Sequence, residues 1–318
     1  DYIVHGEGEI TFLELARTVQ SNADTLPQIG GLVYRAGDAI QKTGPREPIS
    51  NLDELARPSD YFSISHLSMS RGCPGKCTFC GSPKFWPDGR VRFHSPEWMA
   101  DEVMTHAQNG ITHFFFSDDT FTMDKPRVIE LCRLIREKAR EKQLTITWNA
   151  ISRVDAIDEE ILHAMRTAGC IQISYGVESG SSAIRKTLGK PIQRETIIRA
   201  FKQTLQAGIL PRAYFIYGSP GETEETIEKS ARLIREISPL SAVFYMLVLF
   251  PGTHLYTRAL DKGWVSDDLW HKDIEDLPWF QLDDRLNFNT VKRFGDRLRY
   301  EFYSQVSQFA RQIELKAD

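Results

Sequence analysis

Long apolar runs are missing from this sequence. The longest, Ala242–Phe250, is far too short to span a bilayer, so no membrane partner is expected. Runs of Lys or Arg are missing too. With 39 basic and 43 acidic side chains the net charge is −4, which argues against nucleic acid as the main partner. No secretory leader is visible. Cysteine is scarce. Five in 318 residues is an odd count for a long chain without such a leader, and it argues against a disulfide framework. Reduced thiols point to the cytoplasm. Low-complexity segments are absent, and the only repetition is an alternation of strand and helix patterns. The first residue is Asp1 rather than Met, so the sequence reads as a piece of a longer chain.

Three of the cysteines stand together. The stretch ISHLSMSRGCPGKCTFCGSP, residues 64–83, is an apolar run that ends in Ser70, Arg71 and Gly72 and then gives Cys73, Cys77 and Cys80. With Pro74, Gly75 and Gly81 between and after them, the thiolates can wrap one inorganic centre. Iron–sulfur clusters are usually held by four cysteine thiolates. Only three are local here, so one iron of a four-iron cube would lack a local protein ligand. An open position is what separates catalytic from closed structural metal sites. A zinc site would instead add His66 or His94, but zinc sites more often pair two distant Cys/His hairpins, and a second C-x2-C is missing. Cys132 falls on the apolar face of a predicted helix and Cys170 at the start of a predicted strand, so both read as core residues.

In order, Tyr2–Val4 reads as a strand, followed by a GEGE turn and a helix with Ile10, Phe12, Leu13, Ala16 and Val19 on its apolar positions. This is either the last strand–turn–helix of an α/β domain or a short cap. A hairpin turning near Gly37-Asp38 and a proline-punctuated linker follow. From Tyr61, six predicted strands alternate with helices: one leads into the cysteine loop, and the others are 111–116, 144–151, 171–177, 211–217 and 242–250. This predicts an α/β fold with parallel strands, as a partial (β/α)6 TIM-like barrel, with doubly wound order as the alternative. Beyond Pro251, Val291, Phe294, Leu298, Phe302, Val306, Phe309 and Ile313 recur at helical spacing and predict a C-terminal helical extension. The expected division is 1–22, 23–60, 61–253 and 254–318.

Residues after barrel strands gather at one face. The exits here read Ser117-Asp118-Asp119-Thr120, Arg153 after the strand that carries Asn149, Gly176-Val177-Glu178-Ser179-Gly180, Gly218 to Thr223, and Pro251-Gly252-Thr253. Each has a plainer reading. Asp118 or Asp119 can cap a turn, Arg153 can belong to a structural ion pair, and Glu222 and Thr223 can start a helix.

The C-x3-C-x2-C loop with Phe79 before its last cysteine resembles the radical S-adenosylmethionine (SAM) superfamily, whose signature is C-x3-C-x-aromatic-C. The resemblance implies a [4Fe-4S] cluster on Cys73, Cys77 and Cys80. The amino and carboxylate groups of SAM would fill the open iron site. Reductive cleavage would then give methionine and a 5′-deoxyadenosyl radical. SAM needs acceptors for its ammonium and ribose, and a donor for its carboxylate. On that reading Glu178 accepts, Arg153 meets the carboxylate, and Gly218 lets backbone approach the adenine or ribose; Phe79, Ser117, Asp118, Asn149 and Ser179 complete the candidate cofactor contacts.

FFFSDDTFT, AISRVD, YGVESGS and YGSPGET further resemble the subgroup that carries a cobalamin-binding domain, and LDELARP resembles its connector. Residues 1–22 then correspond to the end of that domain. The subgroup implies cobalamin as a cofactor, a small-molecule substrate, an external electron donor of flavodoxin or ferredoxin type, and methyl transfer to an unactivated centre. Oxidative cyclisation, or a cobalamin-independent methylthiotransferase, are the alternatives. Outside the enzymes stands a zinc-stabilised binding module. No residue for proton transfer or a substrate radical is assigned.

Overall fold

The computed structural model describes residues 1–21, 25–86, 89–271, 280 and 282–305. They form two compact units, divided between Glu54 and Leu55. The first contains β1 (Tyr2–Val4), α1 (Gly8–Ser21), β2 (Leu32–Ala36) and β3 (Ala39–Lys42). Strands β2 and β3 form the expected hairpin, and β1 adds to it antiparallel with Ile3 opposite Val33. The opening segment and the hairpin therefore share one sheet. Its core is small: Leu15, Ile29, Leu32 and Tyr34. Helix α1 buries Thr11 and Leu15 rather than the expected stripe, leaving Phe12 64% and Leu13 47% exposed. Three short strands cover only one narrow face of a helix with apolar residues on two sides.

The second unit begins with β4 (His66–Leu67), β5 (Ser70–Arg71), α2 (Ser82–Phe85) and β6 (Arg92–Phe93). Then come α3 (Pro96–Gln108), β7 (His113–Phe116), α4 (Lys125–Glu141), β8 (Thr147–Ser152), α5 (Glu159–Thr167) and β9 (Cys170–Glu178). The remainder is α6 (Ser182–Thr187), α7 (Arg194–Gln206), β10 (Leu210–Tyr217), α8 (Glu224–Ile237), β11 (Ser241–Met246), α9 (His254–Asp261) and α10 (Phe288–Tyr303). The starts of the longer helices are fixed by side chains legible in the sequence. Ser95, Asp124 and Asp158 accept from Trp98, Arg127 and Ile161 backbone N–H groups, and Thr223 forms a capping box with Thr226.

Six strands form one sheet in the order β4-β7-β8-β9-β10-β11, every neighbouring pair parallel. Spatial order follows chain order. A doubly wound sheet reverses direction at a switch point; this one does not, as a partial barrel requires. Alternate strand residues, among them Phe114, Phe116, Trp148, Ala150, Ile173, Tyr175, Ala213 and Phe215, join one core with helix residues such as Val128, Leu131, Ile161 and Ile197. The other set, including Asn149, Gln172 and Arg212, lines the opposite, more open face. Cys132 and Cys170 are buried in the helix-covered core.

The last strand is shorter than its apolar run. It stops at Met246, because Leu247 and Leu249 turn into a second core with Ile184, Leu188, Leu255, Phe280 and Leu282. Val291, Phe294, Leu298 and Phe302 are the buried face of α10, as the spacing predicts; Val306, Phe309 and Ile313 lie outside the described residues. Among the described residues no helix is long and apolar enough to cross a membrane.

Candidate functional site

The cysteine loop follows β5, which pairs antiparallel with β6 apart from the six-stranded sheet, and its take-off is held by a carboxylate from the exit of β7. Asp118 is buried and accepts from Ser70 N at 2.6 Å, Met69 N at 3.2 Å and the Ser70 hydroxyl. Burial outweighs those bonds and raises its pKa to about 6. Ser117 stays on the strand, its N–H and hydroxyl both donating to Leu67 O.

All three loop thiols are half-buried and free of disulfides. Cys73 Sγ accepts from Gly75 N at 3.4 Å and lies 3.7 Å from Thr120 Oγ1; Cys80 Sγ accepts from Ser82 N at 3.4 Å. A Cβ on Gly75 would stand 3.2 Å from Cys73 Sγ, 3.9 Å from Cys77 Sγ and 3.6 Å from Arg153 Nη1. Two sulfurs and a guanidinium thus face the space that a side chain here would fill. Burial raises the pKa of Cys77 and Cys80, opposed by Lys190 at Cys77 and by the Ser82 N–H at Cys80. Thiolates in such a place need a positive partner, which iron would provide. The donor set therefore fits an iron–sulfur cluster with three protein ligands. Among the described residues no three His, Cys, Asp or Glu side chains converge on a single-ion position. The imidazoles weighed for zinc lie against rings: His66 is 5.4 Å from Phe115, and His94 is stacked at 3.8 Å on Trp98.

The loop is pinned from distant parts of the chain. Thr78 N donates to Leu188 O at 3.0 Å, the Thr78 hydroxyl to Thr187 O at 3.1 Å, and Leu255 N to Thr78 O at 3.0 Å. Gly189, at φ +70, lies so close that a Cβ there would run into Lys76 O and stand 3.2 Å from Thr78 N. Only glycine suits that conformation and that approach.

The next residue, Lys190, reaches Glu178 Oε1 at 2.8 Å. Glu178 ends β9 in the left-handed region, at φ +64. The β9–β10 register slips there, Tyr214 facing Gly176 and Phe215 facing Glu178, so Val177 is an extra residue that re-aims the glutamate. The ion pair lies across the bare Cα of Gly176, where a Cβ would strike both Glu178 Oε1 and Lys190 Nζ. Lys190 and Glu178 are also charge neighbours of Cys77. Arg153 donates to both Asp155 carboxylate oxygens, at 2.9 and 2.7 Å.

The remaining candidates have other partners. Phe79 packs on the core that holds Ile184 and Leu255. Ser179 is fully buried; its hydroxyl is 3.2 Å from Ser230 Oγ, and its carbonyl accepts from Arg185. Gly218 N donates to Glu222 at 2.5 Å, and Val291 Cγ1 would be 3.0 Å from a Cβ on Gly218. Asn149 sits within β8, bonded to His113 Nε2 at 3.3 Å. The structure thus brings the thiols together with Arg153, Glu178 and Lys190. Lys190 and Gly189 follow helix α6 rather than a strand, so the pattern of strand exits does not point to them. Their local signal is a Leu-Gly-Lys helix end.

A parallel sheet in sequential order, with a three-thiol loop beyond its first strand, defines a half-barrel cluster enzyme. The chain belongs to the radical SAM superfamily, whose family model matches residues 67–234, just over half of it. It is 33% identical to an uncharacterised methyltransferase of Pyrococcus horikoshii, over 86% of this chain and 61% of that one. It is 30% identical to the anaerobic magnesium-protoporphyrin IX monomethyl ester cyclase of Rubrivivax gelatinosus, over 84% of this chain and 50% of that one. The chain therefore spans between a half and two thirds of these relatives. Its fold is similar to the radical SAM methyltransferase TsrM of Kitasatospora setae, solved with cobalamin and a [4Fe-4S] cluster (TM-score 0.71, 20% identity, 82% of this chain, 56% of that chain). The cobalamin-dependent SAM radical enzyme OxsB has the same fold (TM-score 0.64, 21% identity, 82% and 39%). Family membership sets aside the zinc-stabilised binding module.

Proposed function

We propose that residues 61–253 are the catalytic core of a cobalamin-dependent radical SAM methyltransferase that acts on a small molecule. When bound, a [4Fe-4S] cluster supplies the electron that splits SAM into methionine and a 5′-deoxyadenosyl radical. Cys73, Cys77 and Cys80 hold it, and Asp118, Gly189 and Thr78 fix the loop that presents them. Arg153 takes the SAM carboxylate. Glu178 and Lys190 form a paired acceptor and donor for its polar end. Asp118 and Ser179 act by positioning, since their polar atoms already have protein partners. An external flavodoxin- or ferredoxin-type donor and a cytoplasmic location complete the reading.

The carrying observation is the cradle at Gly75, which two sulfurs and Arg153 share. After anaerobic reconstitution with iron and sulfide, reductant and SAM should yield 5′-deoxyadenosine, and Cys77→Ala should abolish it. Equal traces from both proteins would sink the proposal. Added hydroxocobalamin should bring S-adenosylhomocysteine among the products. Cyclisation is the second reading, favoured by the likeness to the magnesium-protoporphyrin cyclase. It predicts 5′-deoxyadenosine without S-adenosylhomocysteine.

A further inference from the structure

A row of polar side chains crosses the open face of the sheet, well before the strand exits. It consists of His113 on β7, Thr147 and Asn149 on β8, Gln172 on β9, Arg212 on β10 and Ser241 on β11. Register aligns His113 with Thr147, Asn149 with Gln172, and Arg212 with Ser241. His113 Nδ1 lies 2.8 Å from Thr147 Oγ1, and Arg212 Nε donates to Ser241 Oγ at 3.2 Å. With the Gln172 amide turned so that its oxygen faces the guanidinium, Arg212 Nε and Nη2 donate to it at 2.8 and 3.2 Å.

Barrel interiors are normally filled by branched apolar side chains. Here a guanidinium sits at the third position of β10, level with the first residue of β11, and among the described residues its partners are neutral, a serine and an amide. The only carboxylate on this face of β7–β11 is Glu178, already paired with Lys190. Two more polar atoms are left over. Among the described residues Ser174 Oγ and Asn149 Oδ1 are buried without a hydrogen-bond partner, and Ser174 is aligned with Arg212. Buried unpaired polar groups cost about 1–3 kcal/mol each. A ligand supplying an acceptor to Arg212 and Ser174 would recover the Ser174 share of that cost; Asn149 Oδ1, itself an acceptor, would need a donor. Between this row and the exits the same face carries Ile151 and Val243, with Tyr214 and Tyr245 paired at 5.9 Å, while Ile216 is buried in the second core. From Gln172 to Glu178 along β9 is roughly 20 Å at about 3.3 Å per residue.

We propose that the open face binds an elongated organic anion, its carboxylate, phosphate or phosphonate head on Arg212 and the Ser174 hydroxyl. The apolar body runs past Ile151 and Val243 toward the exits. This names the substrate class of the reaction site and rests on the radical SAM reading for which end reacts.

Decanoate is the probe and decan-1-ol its uncharged control, titrated calorimetrically into the reconstituted full chain. Decanoate should bind the wild type and bind Arg212→Met about ten-fold more weakly. Decanol should not separate the two proteins, and Ser241→Ala, which keeps the charge, should hold decanoate within about three-fold. Equal decanoate affinity in wild type and Arg212→Met, or none in the wild type, overturns the proposal. If Arg212→Met fails to fold, the arginine Nε resonances of the wild type decide. One should shift with decanoate, not with decanol, and be missing from the spectrum of Arg212→Lys; no such shift overturns the proposal. Substrate-free 5′-deoxyadenosine formation is measured on the same wild-type preparation. If it is absent while decanoate binding still depends on Arg212, the radical reading fails and the anion site stands.

Discussion

Lys190 Nζ lies 2.8 Å from Glu178 Oε1, with the two side chains only 8% and 6% exposed. Removing one member of a buried ion pair leaves the other charge without compensation and typically costs 3–5 kcal/mol. Lys190→Met and Glu178→Gln should each lose on the order of 3 kcal/mol in urea unfolding. The double variant should lose less than either alone. Additive losses would show that the two side chains do not act as a pair.

Gly189→Ala should damage the cysteine loop from outside it. The new Cβ meets the Lys76 carbonyl, and the φ of +70 adds strain on the order of 1 kcal/mol. Gly221→Ala, at φ +81 with nothing within 4 Å, carries the strain alone. Reconstituted Gly189→Ala should hold clearly less iron and sulfide per chain than Gly221→Ala. Equal loading would mean that the loop does not need this contact.

Glu222 predicts a pH dependence. Burial raises its pKa to about 7, against hydrogen bonds from Gly218 N and Ser219 N that lower it. The folded state therefore holds the proton more tightly than the unfolded chain. The resulting stability is complete below the unfolded value near 4.5 and is lost as pH rises through about 7. Glu222→Gln keeps the acceptor and removes the titration. Across that window the wild type should lose on the order of 3 kcal/mol relative to Glu222→Gln, at about 1.4 kcal/mol per pH unit. Parallel stability curves would refute the assignment.

The two core cysteines should be dispensable for metal. Cys132 has its pKa pushed up to about 12 by burial, and Cys170 is raised in the same way. Cys132→Ala and Cys170→Ala should keep full iron content, at a stability cost on the order of 1 kcal/mol each. Cys73→Ala should lose most of the iron. Iron loss in Cys132→Ala or Cys170→Ala would make that thiol a ligand.

The sequence was most informative where periodicity and punctuation agree. Asp124 followed by Val128, Leu131, Cys132 and Ile135 specifies where α4 starts and which face it buries. Those rules act within one turn of helix, so one sequence displays them. The thiol spacing was legible for the same reason. What was not legible depends on contacts across the fold. Asp118 looked like an acceptor open to a cofactor, but its oxygens are taken by Ser70 and Met69, on the neighbouring strand's exit. Lys190 shows no sign of its role until β9 and the end of α6 are brought together. Asn149 lies inside β8, as the pattern placed it, and the strand's end at Ser152 differs from the expected one by a single residue; its bond to His113 on the neighbouring strand is what the pattern does not display.

The pins on the cysteine loop also bear on when it takes shape. Thr78 is bonded to Leu188 and Leu255, so a chain emerging from the ribosome displays Cys73, Cys77 and Cys80 long before their frame has been made. During that interval the thiols are unframed and open to oxidation or to the wrong metal. Contacts of such wide sequence separation slow folding. On the proposed reading, iron and sulfide would be inserted only once β9, α6 and α9 have been made, so the supply of cluster would not need to keep pace with translation.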